Sequence, residues 1–433
     1  VTGVFIVTAT FDEVVTGLLQ SEISVSNGTV TGFSGSGALY SLTIDPVMGQ
    51  IVEVSIPAGM AQDAVGKGNL ASNLFSVQAG SPASEFEANR DEITQIVVDQ
   101  ALRTLQSTVR ANRRMTISAR NRFIMGRRGC GDTCGSDPEA DSADVPFDID
   151  GSAQISNGVL STQGTFFGLR EVGDSGTQRI VFGDFDVSRD TDGTVHAQVS
   201  GRVAWEHMAT ASTMVGYFVG AEYGRDMIEG TFSGRNDGYG LSAGAYFVSE
   251  LRSNLYTDGY ISLGLGRNML SLSNGVLDLN SNFGTQSLTF GLAMTGVIER
   301  NGYEIWPELA LDAGHTHIGS VGFSGSAYGL TDDTLRLNAG GVSVASLTFA
   351  PEVRVPLDGE AVADSNRLLT FAPRVSCEYV RAITSSVACG RGVEFGIVVS
   401  SRDGLSQIDA NLSIDRMGRQ TRTGMQLNFE RRF

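Results

Sequence analysis

Hydrophobic and polar residues alternate along most of the second half of the chain. Val195, Ala197 and Val199, for example, are separated by His196 and Gln198. Because successive side chains of a strand point to opposite faces of the sheet, this period of two predicts β-strands with one apolar and one polar face. The pattern predicts twelve strands, near residues 179–188, 194–207, 213–224, 237–248, 256–269, 286–299, 304–317, 344–356, 368–380, 391–400, 405–415 and 422–433.

The last predicted strand carries the pattern most clearly. Four apolar residues share one of its faces: Met425, Leu427, Phe429 and Phe433. The intervening residues are polar, and polar residues also recur on one face of strand after strand. An apolar outside, a polar inside and an even number of strands predict a 12-stranded antiparallel transmembrane β-barrel over residues 178–433. A soluble β-sandwich is the alternative, but it does not need charged residues on one consistent face.

Before these strands, residues 81–128 are predicted to form a linker followed by a helix. Pro82 belongs to the linker, and the segment Ser84 to Glu87 has the pattern of a capping box, where the helix should begin. Neither Gly nor Pro occurs from there to about Met125. Five apolar residues recur at helical spacing: Ile93, Val97, Ala101, Leu105 and Val109.

Beyond Asp99 all charged residues of this helix are basic. The basic stripe consists of Arg103, Arg110, Arg113, Arg114, Arg120 and Arg122, followed by Arg127 and Arg128. Three interpretations are open: a solvated helix face, a surface for nucleic acid or anionic lipid, and a helix seated in an acidic cavity. Acidic residues at predicted inward positions favour the third interpretation: Glu206, Glu222, Glu308, Asp312, Glu352, Glu378 and Glu394.

The first 80 residues predict a small β-sandwich. Short strands are expected at 5–11, 22–25, 38–44, 51–56 and 74–77, separated by turns such as Asn27-Gly28 and Gly35-Ser36-Gly37. The segments 11–17, 25–28 and 56–63, the last leading to Gly68-Asn69, resemble bacterial Ig-like repeats of surface proteins. Residues 129–177, rich in Gly, Asp and Ser, are interpreted as an acidic linker, with a hairpin around 164–169 as an option.

Composition and charge narrow the possible functions. The chain has 54 glycines, 9 prolines and a formal net charge of −17, so it favours a sheet-rich protein and disfavours nucleic-acid binding. It contains no run of 18 apolar residues and no leader-like segment at Val1, where strand-like sequence begins almost at once. We therefore expect the chain to be the C-terminal part of a longer protein.

Four cysteines allow three pairings. Cys130 and Cys134 lie in the predicted linker, whereas Cys377 and Cys389 flank a predicted loop, so two local disulfides are favoured over a metal site that lacks nearby histidine. Acidic residues in the first 80 positions are interpreted as solvated turn carboxylates in preference to calcium ligands. We expect neither a metal nor a cofactor.

Histidine offers the main candidate for catalysis. His315 and His317 share one strand face and Asp312 lies on the adjacent face, which could place a His–carboxylate pair at a rim. No nucleophile motif, H-E-x-x-H motif or phosphate-binding loop accompanies them. We therefore expect no enzymatic activity, with a barrel-embedded hydrolase as the minor alternative.

A helix followed by about twelve alternating strands and a terminal phenylalanine resembles the translocator unit of autotransporters, the type V secretion family of Gram-negative bacteria. The resemblance covers residues 84–433. It implies a barrel in the outer membrane, a helix threading its lumen and a passenger outside the cell. The last strand, with Met425, Leu427, Phe429 and Phe433, is similar to the family's barrel-assembly signal, and Arg431 departs from it.

The resemblance also implies partners. They are outer-membrane lipid, the barrel-assembly machinery and the chain's own passenger, with the barrel itself a monomer. Some family members cut this helix at an Asn-Asn pair, but Asn89, Asn112 and Asn121 each stand alone, so we expect the passenger to stay attached. The expected function is export and display of an adhesive, Ig-like stalk; a passive porin-like channel is the alternative.

Overall fold

The computed structural model describes residues 1–129, 147–156, 159–172, 177–190, 193–358, 362, 365–401, 406–417 and 420–432. It is mainly β, with a large antiparallel sheet and one long helix. The chain divides into two compact units. The first contains Val1–Ile93, Ser271–Ser281 and Gly322–Leu337, and the second contains Thr94–Leu270, Asn282–Val321 and Asn338–Phe433. In the described part of the chain, neither helix has an apolar stretch long enough to cross a bilayer.

The N-terminal module contains five strands in two small sheets. They are β1 (Phe5–Val15), β2 (Ser24–Ser26), β3 (Gly28–Pro46), β4 (Ile51–Ser55) and β5 (Phe75–Gln78). β1 pairs with β3, and β4 lies between β2 and β5. Leu42, Ile44 and Val52 form the centre of its core. All five predicted strands are present, but the expected turn at 35–37 lies inside β3, where the register with β1 shifts.

Two consecutive helices follow this module. α1 comprises Pro82–Ala88 and α2 comprises Arg90–Gly129. Ser81, not Ser84, is the N-cap of α1, because its hydroxyl accepts a hydrogen bond from the Ser84 backbone N–H at 3.1 Å. The predicted single helix is interrupted at Asn89, whose side-chain amide donates to the Glu85 carbonyl at 2.8 Å and thereby satisfies the end of α1.

The large sheet contains fifteen strands in the part of the chain that the structure describes. They are β6 (Phe147–Ser156), β7 (Val159–Val172), β8 (Thr177–Arg189), β9 (Val195–Thr210), β10 (Thr213–Ile228), β11 (Ser233–Arg252), β12 (Leu255–Ser273), β13 (Asp278–Gly296), β14 (Ile298–Arg300), β15 (Tyr303–Ala327), β16 (Leu330–Pro356), β17 (Arg367–Arg381), β18 (Ser385–Ser400), β19 (Ser406–Met417) and β20 (Gln420–Arg432). Consecutive strands are neighbours, except that β14 pairs with β15 and not with β13. β6 also pairs with β20, and β13 pairs with both β12 and β15.

The structure corrects the predicted strand number and the predicted linker. Because only Val297 separates β14 from β13, the sheet has fourteen passes instead of twelve. The two additional strands, β6 and β7, lie within 129–177, where we predicted a linker, and pair with each other from Phe147 to Ser156. Glycine, serine and aspartate dominate this segment and conceal the alternation of Ile149, Gly151 and Ala153 with polar residues.

No strand was predicted for the residues between 317 and 344, but the structure differs. β15 and β16 continue through this segment to a two-residue turn at Tyr328-Gly329. Val321, Phe323 and Leu335 are buried on one side of this hairpin, between exposed glycine, serine and threonine residues. The small residues between them made the alternation too weak to detect from sequence.

The two faces of the large sheet differ in chemistry. One face packs against α2, where Met115, Ala119 and Phe123 join a core with Phe182, Phe218 and other residues of the sheet. The opposite, outer face exposes apolar side chains in alternate positions, as on β12, where Leu263 is 63% and Leu265 is 65% exposed. The predicted alternation of faces is therefore confirmed.

Candidate functional site

Six arginines of α2 were predicted to meet acidic partners, and each of them forms an ion pair. The pairs are Arg103 with Asp190, Arg110 with Asp186, Arg113 with Asp258 and Glu308, Arg114 with Asp184, Arg120 with Asp258 and Glu308, and Arg122 with Glu206. Except for Asp190, which follows β8, these carboxylates lie on strands of the sheet. The helix is thus held by the polar face of the sheet along most of its length.

The central cluster contains two arginines and two carboxylates. Arg113 donates to Asp258 at 2.7 Å and to Glu308 at 3.0 Å. Arg120 donates to Asp258 at 3.1 Å, to Glu308 at 2.6 Å and to the Thr295 hydroxyl at 2.7 Å. Asp258 has no solvent exposure. These charge-assisted hydrogen bonds lie in a largely water-excluded space, where such bonds are strong, and Asp312 is a third acidic neighbour, 4.0 Å from the Arg113 Nε.

A second group of contacts joins α2 to β7 and β8. Arg110 donates to Asp186 at 3.0 Å, and Arg114 donates to Asp184 at 2.7 Å and to Gln163 at 2.6 Å. Because residues four apart lie on the same side of a helix, Arg110 and Arg114 face the same strand. Asp184 and Asp186 share one face of β8, so their spacing along the strand matches the spacing of Arg110 and Arg114 along the helix.

A third group surrounds Glu206 on β9. Arg122 and the Tyr246 hydroxyl each donate to the same carboxylate oxygen of Glu206 at 2.6 Å. Tyr246 lies across Gly216, the residue opposite it on β10, and a Cβ atom at that glycine would be 2.3 Å from the tyrosine ring. The glycine therefore lets the ring lie flat against the sheet and bring its hydroxyl to Glu206.

Uncharged contacts complete the seating of the helix. Asn112 donates to the Thr289 hydroxyl at 2.9 Å, and Thr108 donates to Glu222 at 3.3 Å. Leu105 packs directly over Gly314 on β15, where a Cβ atom would be 2.8 Å from the leucine. Side chains of α2 thus reach strands β7, β8, β9, β10, β12, β13 and β15.

The arginines were predicted from the sequence, but four of their acidic ion-pair partners were not singled out: Asp184, Asp186, Asp190 and Asp258. The available signal was an aromatic residue two positions before an aspartate, as Phe182 is before Asp184 and Tyr256 before Asp258. Of the predicted acidic residues, Glu206, Glu222, Glu308 and Asp312 contact the helix.

The other predicted acidic residues belong to a separate group on β16, β17, β18 and β19. Arg374 donates to Asp415 at 2.6 Å and to Glu394 at 3.3 Å, and Arg354 donates to Glu352 at 2.8 Å. The side chains of these pairs are between 20% and 33% exposed, so this part of the polar face is accessible to water.

The predicted His–carboxylate pair is not formed. His315 and His317 are exposed on the outer face of β15, whereas Asp312 lies on the opposite face and accepts a hydrogen bond from Tyr260 at 2.9 Å. Adjacent strand residues point to opposite faces, which is why the two groups cannot meet. His196 is instead the buried histidine with a carboxylate partner, since its Nδ1 lies 2.5 Å from Asp226.

Cys377 and Cys389 face each other on the paired strands β17 and β18, and their sulfurs are bonded. Both residues lie on the exposed outer face of the sheet. The predicted partners Cys130 and Cys134 lie outside the described residues. Within the described residues, no group of three or more His, Cys, Asp or Glu side chains could hold a metal ion.

The residues of the predicted assembly signal lie on the last strand. Met425, Leu427 and Phe429 are each about half exposed on the outer face of β20, continuous with the apolar residues of β19 such as Ile408 and Leu412. Phe433 lies outside the described residues. The three described side chains therefore belong to the apolar outer face.

One comparison with known proteins concerns the N-terminal module. Residues 1–79 match the family model of a bacterial Ig-like domain, which confirms that prediction. A search of curated protein sequences finds none that matches this chain.

Several solved structures are similar to the chain at low sequence identity. The β domain of the Bordetella autotransporter BrkA is 12% identical, covers 67% of this chain and 98% of its own, and has a TM-score of 0.37. The translocator domain of autotransporter NalP from Neisseria meningitidis is 14% identical over 73% of this chain and 97% of its own, with a TM-score of 0.37. The toluene transporter TodX from Pseudomonas putida is 10% identical over 66% and 88%, with a TM-score of 0.39. The structural neighbours of this chain thus include autotransporter translocator domains.

Proposed function

We propose that the chain is an outer-membrane translocator: a closed barrel of fourteen strands, plugged by α2, that displays the Ig-like module on the cell surface. The observation that carries the proposal is the contrast between the two faces of one sheet. One face binds an arginine-rich helix through buried carboxylates, and the other exposes apolar side chains on successive strands.

The outer face supports insertion in a membrane. Exposed apolar side chains recur on β12, β13, β18 and β20, among them Ile261, Phe290, Phe395 and Phe429. A continuous apolar surface of this extent is unfavourable in water and marks a lipid or protein contact. Barrel strands supply such a band because their lipid-facing residues alternate with inward-facing ones. The pairing of β13 with both β12 and β15 supports closure of the sheet.

The ion pairs support a plug. A helix that binds seven strands through its side chains fills the space those strands enclose, and water and ions cannot pass where Arg113, Arg120 and Asp258 are buried. Replacing Arg113, Arg114 and Arg120 by glutamate should place like charges against Asp184, Asp258 and Glu308. The variant should therefore raise ion conductance in planar bilayers.

A matched control uses three exposed arginines of the sheet. Replacing Arg235, Arg252 and Arg267 by glutamate changes the net charge by the same amount without contacting α2 and should leave conductance at the wild-type level. Equal conductance of both triple variants would contradict the plug.

Display of the module is tested separately. An epitope inserted in an exposed turn of residues 1–78, such as Val65 to Lys67, should be cleaved by protease added to intact cells. Cleavage only after the cells are lysed would place the module inside and contradict the proposal. The two assays distinguish a failure of the plug from a failure of display.

A passive channel is the second candidate, favoured by the partly exposed ion pairs on β16 to β19. Arg374, Asp415 and Glu394 lie on the polar face of the sheet and are accessible to water. A narrow passage along these strands would give the wild-type protein a small, ion-selective conductance. Arg374→Glu should then change the ion selectivity of this conductance. A wild-type protein without measurable conductance would exclude this candidate.

A further inference from the structure

The hairpin β15–β16 ends in a turn whose backbone is unfavourable for the residue it carries. Tyr328 and Gly329 are the two central residues of this turn, and both have positive φ angles, of 53° and 78°. Such turns favour asparagine or glycine at the first central position, because a Cβ atom is crowded in the left-handed region. An aromatic residue held in this conformation points to a role other than forming the turn.

The Tyr328 ring packs against the N-terminal module. Gly80 follows the last strand of that module, and a Cβ atom at Gly80 would be 2.6 Å from the ring. Gly49 lies in the turn between β3 and β4, where a Cβ atom would be 3.0 Å from the Tyr328 side chain and backbone. Both glycines have positive φ angles, so two turns of the module are shaped to receive one tyrosine.

The same hairpin also contacts α1. The Tyr328 hydroxyl donates to Glu85 at 2.8 Å. Burial and the neighbouring Glu85 carboxylate raise the pKa of the Tyr328 hydroxyl, so it remains a donor. The Phe86 and Phe323 rings are 5.5 Å apart and both are buried.

A small apolar socket surrounds the start of α1. A Cβ atom at Gly325 would be 2.5 Å from Leu335, 3.2 Å from Leu279 and 3.6 Å from Pro82. Leu279 lies at the start of β13, so the tips of two hairpins contribute to the socket. The contacts therefore join three parts of one compact unit: the module, α1 and the tips of the long strands.

We propose that the tip of the β15–β16 hairpin is a docking platform for the chain's own Ig-like module and α1, with Tyr328 as the residue that recognises the two glycine turns. The platform holds the base of the displayed module in a fixed position once it is outside the cell. This inference rests on the proposed surface display, because a module that is never exported needs no docking site at the tip of this hairpin.

The test uses a substitution that spares the hairpin. Tyr328→Gly removes the ring and the hydroxyl but places the residue best suited to a positive φ angle in the turn. Hydrogen exchange is measured by mass spectrometry on the full chain, refolded in lipid nanodiscs. Loss of docking should accelerate exchange in residues 79–89 by about tenfold or more, whereas exchange in the hairpin, residues 322–337, should stay equal or become slower.

Two further variants separate the contacts. Glu85→Ala removes the acceptor from the side of α1 and should accelerate exchange in 79–89 by a smaller factor, roughly threefold, as expected for one hydrogen bond. Tyr303→Ala removes a tyrosine at the opposite end of the same strand and should change neither segment.

The outcomes decide between docking and other roles. Unchanged exchange in 79–89 after Tyr328→Gly would overturn the proposal, as would faster exchange in the hairpin alone, which would assign Tyr328 to the hairpin. The epitope assay on intact cells tests the proposed surface display independently of docking. A surface-exposed epitope together with unchanged exchange would leave display intact and reject only the docking platform.

Discussion

Asp258→Asn is the most direct test of how α2 is held. The carboxylate is fully buried and accepts hydrogen bonds from Arg113 at 2.7 Å and from Arg120 at 3.1 Å. A hydrogen bond to a charged group contributes about 1.5–3 kcal/mol, so losing two of them costs roughly 3–6 kcal/mol. Breaking a buried ion pair by removing one partner typically costs about 3–5 kcal/mol, which is in the same range.

This free energy translates into a measurable change in gating. If the proposed plug opens when α2 dissociates from the carboxylates of the sheet, losing about 3–5 kcal/mol of binding free energy should make opening roughly 10²- to 10⁴-fold more frequent. Each 1.4 kcal/mol corresponds to a factor of about ten. Single-channel recording in planar bilayers measures the frequency directly. The retained contacts of Glu308 with both arginines place the expected value toward the lower end.

Glu394→Gln is the matched control, because it neutralises a carboxylate of the same polar face that pairs with Arg374 instead of the helix. An equal opening frequency for Asp258→Asn and Glu394→Gln would refute the reasoning. The double variant Asp258→Asn with Arg120→Gln restores the charge balance of the cluster. It should open less often than Asp258→Asn alone, because coupled residues in one network are not additive.

Three further predictions concern the sheet itself. Leu263→Arg places a charge on the apolar outer face and should lower the stability of the membrane-inserted barrel by about 2–4 kcal/mol in urea titrations in lipid vesicles, more than Leu263→Ala does. Gly216→Ala should displace the Tyr246 ring from Glu206 and lower the free energy of unfolding by about 1–3 kcal/mol, whereas Gly201→Ala, where no atom lies within 4 Å of the added methyl group, should have little effect. Replacing Cys377 and Cys389 together by serine should lower the stability to urea by about 2–4 kcal/mol. Conductance should stay unchanged, because the disulfide links strands that are already paired, on the outer face of the sheet. An altered conductance would show that the disulfide also shapes the interior.

The sequence was sufficient where side chains contrast strongly. The strands with alternating large apolar and charged residues, such as β9 with Val199, Arg202 and Glu206, were predicted within a few residues of their bounds. The basic residues of α2 were identified because acidic residues are absent after Asp99. The alternation of the strands and the one-sided charge of α2 can both be read from the local sequence, without knowing which residues they contact in the fold.

The sequence was insufficient where small residues form strands. In β6, and in the hairpin 318–342, glycine and serine occupy positions that a pattern search interprets as loop. At Gly325 in this hairpin, a neighbouring side chain occupies the space that a Cβ atom would need. The same holds for Gly216 on β10 and for Gly80 after β5. These neighbours are distant in the chain, so no local rule predicts them.

The orientation of the arginines explains which interpretation of the basic stripe is correct. At about 100° per residue, Arg110 and Arg114 lie on one side of α2, Arg113 and Arg120 lie about 90° away, and Arg122 lies about 90° in the other direction. Leu105 and Phe123 occupy the remaining side. A solvated helix face would leave the arginines exposed, yet Arg113 and Arg120 are buried.

Each of these directions meets a different part of the sheet. Arg114 reaches Asp184 on β8, Arg122 reaches Glu206 on β9, and Arg113 reaches Asp258 on β12. A flat surface, whether lipid or nucleic acid, could neutralise one of these sides but not all three. The spread of charge around α2, which looks like a poor amphipathic pattern in isolation, is therefore what a helix requires when carboxylates of several strands contact it from different directions.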